Sequence, residues 1–268
     1  MAIAKAAKEA YNIEVKDYKK AVDEKNSKIK EATKKRNKMS NIKGYFNLEI
    51  AKLQLDIIDD YFKMSDLSLE MLGIKNETFL NNARKEIYKV LQAAEEIVGK
   101  DVDRSLKEND EFLQTIDRVT PKHILHFIDR IHNAYHNLKA KFGEGSKWKW
   151  SFVELFSRIS IITKNITSFA DIQKFRDPRS DFFYERRDLM NLCKDSLTEA
   201  AKQYRTKYEM AGKAREDLKR SIELLGVLRK IHVIFGEDGE ATKLKNTIDA
   251  AKATLEATDK SKDNKKKK

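Results

Sequence analysis

Residues 25–53, KNSKIKEATKKRNKMSNIKGYFNLEIAKL, decide the fold, because they join two apolar series with no proline and a single glycine, Gly44. One series steps by sevens through Ala4, Tyr11, Tyr18, Lys25, Ala32, Met39, Phe46 and Leu53. The other runs Val15, Val22, Ile29, Arg36, Lys43, Ile50, Ile57, Met64 and Met71. Alternating steps of three and four place both series on one stripe of a coiled-coil-like helix. Lys25, Arg36 and Lys43 interrupt it, so the stripe is weakest near its middle. Read as one element, residues 4–71 form a rod of roughly 90 Å at about 1.5 Å per residue. The apolar positions widen after Phe46 (Leu48, Leu55, Ile58, Tyr61, Phe62), as in a helix packed from several sides. The first half is therefore expected to project as a basic arm, and the second half to enter a bundle.

Working outward, the remaining chain also reads as helix. Asn76 can cap a helix carrying Leu80, Ala83, Ile87, Val90 and Leu91, with Gly99 as its stop. A weaker segment, 101–119, carries Leu106, Leu113 and Ile116. Thr120-Pro121 is a strong start for a helix bearing Ile124, Ile128, Ile131, Tyr135 and Leu138, ending at Gly143. Phe152, Leu155, Ile159, Ile162, Ile166 and Phe169 define the next. After Asp177-Pro178, a second long stripe runs from Phe183 through Met190, Cys193, Leu197, Tyr204, Leu218 and Leu228 to Phe235, roughly 80 Å if unbroken. A short amphipathic piece and a lysine tail follow. Strand-like alternation is absent from the sequence. The expected class is all-α, an elongated coiled-coil-like bundle in which two long terminal helices frame shorter ones. Its divisions are a projecting basic arm (1–44), a central bundle (45–179), a second long helix plus a short amphipathic helix (180–258) and a disordered lysine tail (259–268).

Charge narrows the function. The net charge is +12 over 268 residues. Residues 1–40 hold 12 basic and 6 acidic side chains, residues 259–268 hold 6 and 2, and the body holds 37 and 35. A nucleic-acid-reading protein concentrates its excess on a folded face instead, so no nucleic-acid partner is expected, and the nearly balanced body counts against a membrane partner. No run of about 18 apolar residues is long enough to span a bilayer. Residues 1–10 lack the apolar core of a secretory signal. With one cysteine, Cys193, there is neither an internal disulfide nor a cysteine zinc cage. Cys193 reads as a packing residue on the apolar stripe.

Two local features could carry chemistry or recognition. His126, Asp129, His132 and His136 fall on one side of the 121–142 helix. Asp129, His132 and His136 have spacing that could hold zinc or nickel, but such a face is more commonly a plain polar surface. No cofactor is expected, and no Walker loop, nucleophile elbow or dinucleotide fingerprint occurs. The segment Lys147-Trp148-Lys149-Trp150 contains both tryptophans. It reads either as a partner surface or as aromatic closure of a bundle end. Tyr11 and Tyr18 sit at seam positions, partner-facing or core. Glu185-Arg186-Arg187-Asp188 reads as an exposed charge run.

Two long terminal helices around shorter ones, the lysine-rich composition, and Arg130-Ile131-His132-Asn133-Ala134-Tyr135-His136 together carry a resemblance. The chain resembles the flagellar coiling proteins of leptospiral spirochaetes, sheath components of periplasmic flagella. That resemblance implies a V-shaped helical protein coating one side of the flagellin core and promoting coiling. Its implied partners are flagellin, other sheath proteins and further copies of itself. A periplasmic location follows, with a signal peptide removed; without the resemblance, a cytoplasmic location is expected. The length of the two stripes points the same way, to a non-enzymatic coat subunit built by lateral helix packing. The alternative is a membrane-shaping or cytoplasmic scaffold that binds anionic surfaces through its basic ends.

Overall fold

An apolar stripe must be covered, and in the computed structural model, which describes residues 5–143 and 145–266, each long stripe is covered by its own second half. The first stripe is two helices, α1 (Lys5–Lys38) and α2 (Lys43–Leu72), separated by a 3-10 turn at Ser40–Ile42. Val15 and Val22 of α1 close on Ile57 and Met64 of α2, with Tyr11, Tyr18 and Ile29 packed alongside. The heptad misfits become the polar pins of this hairpin. Lys25 bonds Asp60 of α2, and Arg36 bonds Asn47 at 3.0 Å and Glu96 at 2.8 Å. Each fully buried aliphatic side chain stabilises by about 1.5–3 kcal/mol. Interrupting a helix over about four residues forfeits backbone hydrogen bonds worth about 1 kcal/mol each. Folding back therefore wins over a bare rod, and the expected projecting arm is corrected to one half of a hairpin.

The break needs no proline. Lys35, Arg36 and Lys38 fill the last turn of α1, where cations favour the negative helix end. Met39 leaves the helix at φ −120°, ψ 73°. Ser40 and Asn41 follow, residues whose side chains compete for backbone bonds.

The chain divides into two compact units, 1–99 with 109–149, and 100–108 with 150–268. In the first, α2 packs on α3 (Glu77–Val98), and α5 (Pro121–Phe142) packs on both. α4 (Leu106–Leu113) and a 3-10 turn at Gln114–Ile116 occupy the connection between α3 and α5. The sequence-read ends hold: Asn76 accepts from the Thr78 and Phe79 amides, Thr120 accepts from the His123 amide, and Gly143 closes α5 with φ 84°. Arg130 spans to Asp56 at 2.9 Å and Asp59 at 2.8 Å, fixing α5 to α2.

In the second unit, α6 (Lys149–Ile166) is buried on nearly every side from Phe152 onward. A short α7 (Phe169–Lys174) leads to α8 (Phe183–Met210), α9 (Arg215–Ile234) and α10 (Asp238–Lys266). The second expected rod is thus also a hairpin. It breaks where Gly212 (φ 92°) and Lys213 (φ 56°) take the left-handed conformation, open to glycine at little cost. Lys207 meets Asp217 at 2.7 Å, and the Ser221 hydroxyl donates to the Ala201 carbonyl at 2.8 Å, locking α8 to α9. α10 packs on α9 through Ala251 and Leu255 against Leu218 and Ile222. It is 29 residues long, not a short piece, and stays helical through Lys266, into the segment expected to be a disordered tail. Ala4, Glu144, Lys267 and Lys268 lie outside the described residues. The class is all-α, with no strand among the described residues.

Gly44, buried in the first turn of α2, admits the 3-10 turn before α5. A Cβ there would lie 2.8 Å from Ile116 Cγ2 and 2.9 Å from the Thr115 carbonyl oxygen. Gly44→Ala is expected to lose about 1–3 kcal/mol of stability through this crowding, despite the roughly 1 kcal/mol that alanine ordinarily gains in a helix. Urea unfolding checks it, and a stabilised variant would contradict the close approach.

Candidate functional site

A grouping of charged and aromatic side chains lies in the second unit. Asp177-Pro178 ends the α7 region in a turn, with the Arg179 amide donating to the Asp177 carboxylate at 2.9 Å. Phe182 then starts α8 from a left-handed backbone (φ 59°), an uncommon state for an aromatic residue. These turns bring Ile172, Phe175 and Arg176 opposite Phe183, Arg186, Arg187, Met190 and Lys194 of α8. Phe235 and Glu237, just beyond α9, complete a cleft. Gln173 fixes the α7 side by donating to the Ile234 carbonyl at 3.2 Å.

The cations are held on ring faces. The Arg186 guanidinium carbon lies 4.4 Å from the Phe175 ring centre, and that of Arg176 lies 5.7 Å from Phe235. Such stacking keeps a guanidinium's in-plane N–H groups available to an acceptor. Glu237 is the one carboxylate in the lining. Lys194 donates to both its oxygens, at 2.6 and 2.7 Å, and His232 bonds it as well. Burial by itself would raise its pKa, but the bonds from Lys194 and His232 outweigh that and hold the carboxyl below its ordinary value. Arg186 Nε is buried with no hydrogen-bond partner among the described residues. The arrangement can hold an anionic group beside an apolar one.

The sequence-read candidates lie elsewhere and do not converge. Tyr11 and Tyr18 are half-buried in the α1–α2 core cluster, which makes them packing residues. Trp148 is half-buried in the first unit, with the Arg84 guanidinium 3.8 Å from its ring centre and Lys147 Nζ at 5.5 Å. Lys147 and Lys149 are exposed. Lys149 belongs to the first unit and Trp150, half-buried, to the second. His132 and His136 do share a side of the helix, their ring centres 6.4 Å apart, but the expected wholly polar face is corrected: Asp129 and His136 are exposed whereas His132 is buried. Among the described residues no group of three His, Cys, Asp or Glu side chains is arranged to hold a metal ion. Of the expected exposed charge run, Arg187 and Asp188 are exposed and Glu185 and Arg186 half-buried, and both arginines also line the cleft.

Three reactive groups are shut in by packing. Cys193 is buried on α8, and burial pushes its thiol up to about 12. Lys164 of α6 is wholly buried and donates to the carbonyls of Val102 at 3.1 Å and Arg104 at 3.2 Å; burial lowers its pKa to about 8. Asn165 adds a bond to the Asp101 carbonyl at 3.4 Å, so α6 pins the 101–104 loop.

Burial, with a smaller contribution from His136, brings His132 down to about 4. A histidine with its folded pKa below the ordinary 6.5 favours the fold when neutral. Its contribution is complete above pH 6.5 and is lost as the pH falls toward 4. Stability is expected to be about 2 kcal/mol lower at pH 5 than at pH 7.5 on this account. Urea unfolding of the protein beside His132→Gln measures it: the variant should show a flatter pH dependence, and an equal slope would rule His132 out as the source.

Comparison with known proteins gives one family. The profile of the TP0443 family matches residues 7–259, nearly the whole chain. No curated protein matches the sequence. The chain belongs to the TP0443 family, a family of spirochaete type.

Proposed function

We propose that this protein is a non-enzymatic structural subunit that works by docking its helical surfaces onto other proteins. The assembly it serves is the sheath of the periplasmic flagellum, where it packs on the flagellin core and promotes coiling and motility. The observation that carries the docking role is the contrast between closed and open groups. Cys193, His132 and Lys164 are sealed by packing, while guanidinium and aromatic groups line an open cleft. Arginine and aromatic side chains are the types that dominate protein interfaces.

The flagellar setting is supported by the spirochaete-type family and by the likeness in residues 130–136. Within that segment Arg130 pairs across to α2, and Ile131, His132, Ala134 and Tyr135 are buried. Surplus rod length no longer supports it, because both stripes fold back. No helix among the described residues is long and apolar enough to cross a membrane. A scaffold that binds anionic surfaces through its basic ends is the competing reading, favoured by the helical extension of α10 to Lys266.

Cell fractionation with a gene deletion tests the reading. The protein should remain with periplasmic flagella after detergent removes the outer membrane, and deletion should straighten the filaments and impair motility. Recovery in membrane or cytosolic fractions, with filament shape unchanged, would contradict the sheath role.

A further inference from the structure

The cleft has a specific charge and shape, and these describe its occupant. Four cations, Arg176, Arg186, Arg187 and Lys194, face a single carboxylate, Glu237. Lys194 and His232 already satisfy that carboxylate. Three guanidinium groups therefore exceed the lining carboxylate; Arg186 donates one N–H to the Asp181 carbonyl at 2.5 Å and keeps its buried Nε unpartnered. Arg187 is bonded to neighbouring Asp188 at 3.0 Å, but both side chains are about half exposed, and such a pair exchanges readily for a better acceptor. Arg186 and Arg176 rest on Phe175 and Phe235, so their orientation is set before anything binds, and preorganised donors lose less freedom on binding.

Exposed apolar residues also flank the cleft lining in sequence. Phe182, Tyr184, Val233 and Ile234 are among the large hydrophobic residues left exposed. Phe182 and Tyr184 adjoin the lining residue Phe183 in sequence, and Val233 and Ile234 lie within two residues of Phe235. A free small anion would make no use of the apolar lining, Phe175, Phe183 and Met190, whereas a polypeptide carrying both carboxylates and apolar side chains would use it together with the guanidinium groups. The concave form suits an inserted chain segment better than a plane of lipid headgroups. A second copy of this chain, with a nearly balanced body and basic ends, offers no acidic excess to match the cleft.

We infer that the cleft between α7, α8 and the end of α9 is a docking site for an acidic peptide segment of a partner protein. Its carboxylates are held by Arg176, Arg186 and Arg187, and an apolar side chain is seated on Phe175, Phe183 and Met190. This rests on the reading of the protein as a docking subunit and names the chemistry of one partner.

The experiment uses the full chain and a fluorescein-labelled peptide of about twelve residues, rich in Asp and Glu and carrying two leucines and a phenylalanine. Controls are the same peptide with Asn and Gln in place of the acids, the acidic peptide without its apolar residues, inorganic phosphate, and phosphatidylglycerol vesicles. Anisotropy should show saturable binding of the complete peptide, weakened about tenfold or more by R176E/R186E. Charge reversal at exposed Lys252 on α10 should change it far less. Arg186→Gln, a milder change, should also weaken binding, and circular dichroism confirms that each variant remains helical.

Equal weakening by Lys252→Glu would reduce the effect to net charge and overturn the site. So would binding of vesicles or phosphate without the peptide, or no binding at all. The flagellar reading is separable: if the native protein stays on flagella and R176E/R186E does too, the sheath role stands and the cleft is not its contact.

Discussion

Closure of each long apolar stripe upon itself is the interaction on which the rest of this fold depends. A helix as charge-rich as α1 buries only Val15, Val22 and Ala32. That narrow stripe has one sequence-local surface wide enough to cover it, the broadly apolar α2. The polar interruptions then act with the packing. Lys25 meets Asp60, and Arg36 reaches Asn47 and Glu96, so the residues that weaken a coiled-coil repeat set the register of a hairpin. Exposed ion pairs contribute little. These are partly shielded, and the side chains of Lys25 and Asp60 are 23% and 13% exposed.

The second unit applies the same rule with buried polar pins. Ser160 bonds the Ser196 carbonyl, Ser221 bonds that of Ala201, and Lys164 bonds two carbonyls of the 101–104 loop. A buried polar group without a partner costs stability, so each pin penalises sliding of one helix along another. With that framework fixed, the short α7 and the left-handed Phe182 can present Phe175, Arg176 and Arg186 from different elements to one cleft.

Much of the helical content could be read from the chain, because its signals are local. Asn76, Thr120-Pro121, Gly99 and Gly143 act through a single turn of backbone, and each works as its residue type requires. The breaks at 39–42 and 211–214 were harder. The seven-residue spacing continues across Met39, so periodicity gives no warning. The cues were a basic last turn followed by Ser-Asn, and the lone Gly212 between two alanines of the stripe. Helical angle alone puts His132 on the polar side, whereas packing of α5 against α2 and α3 encloses it. The cleft is hard to read from sequence because its parts are separated by some sixty residues (Ile172 to Glu237). A signal was present, however: four arginines and four aromatics occur within residues 174–187. Tertiary proximity of Phe235 to Arg176 has no counterpart in local pattern.

Surface recognition, the role proposed above, is compatible with hairpins that bury their own apolar stripes. The whole account rests on the stripes folding back. Electron spin resonance with labels at Glu24→Cys and Asp59→Cys, beside the Lys25–Asp60 pair, measures this directly. Cys193 is buried and should escape labelling. A hairpin predicts a label separation under about 20 Å, whereas 35 residues of continuous helix would hold the labels roughly 50 Å apart. The longer distance would restore the rod and contradict the fold described above.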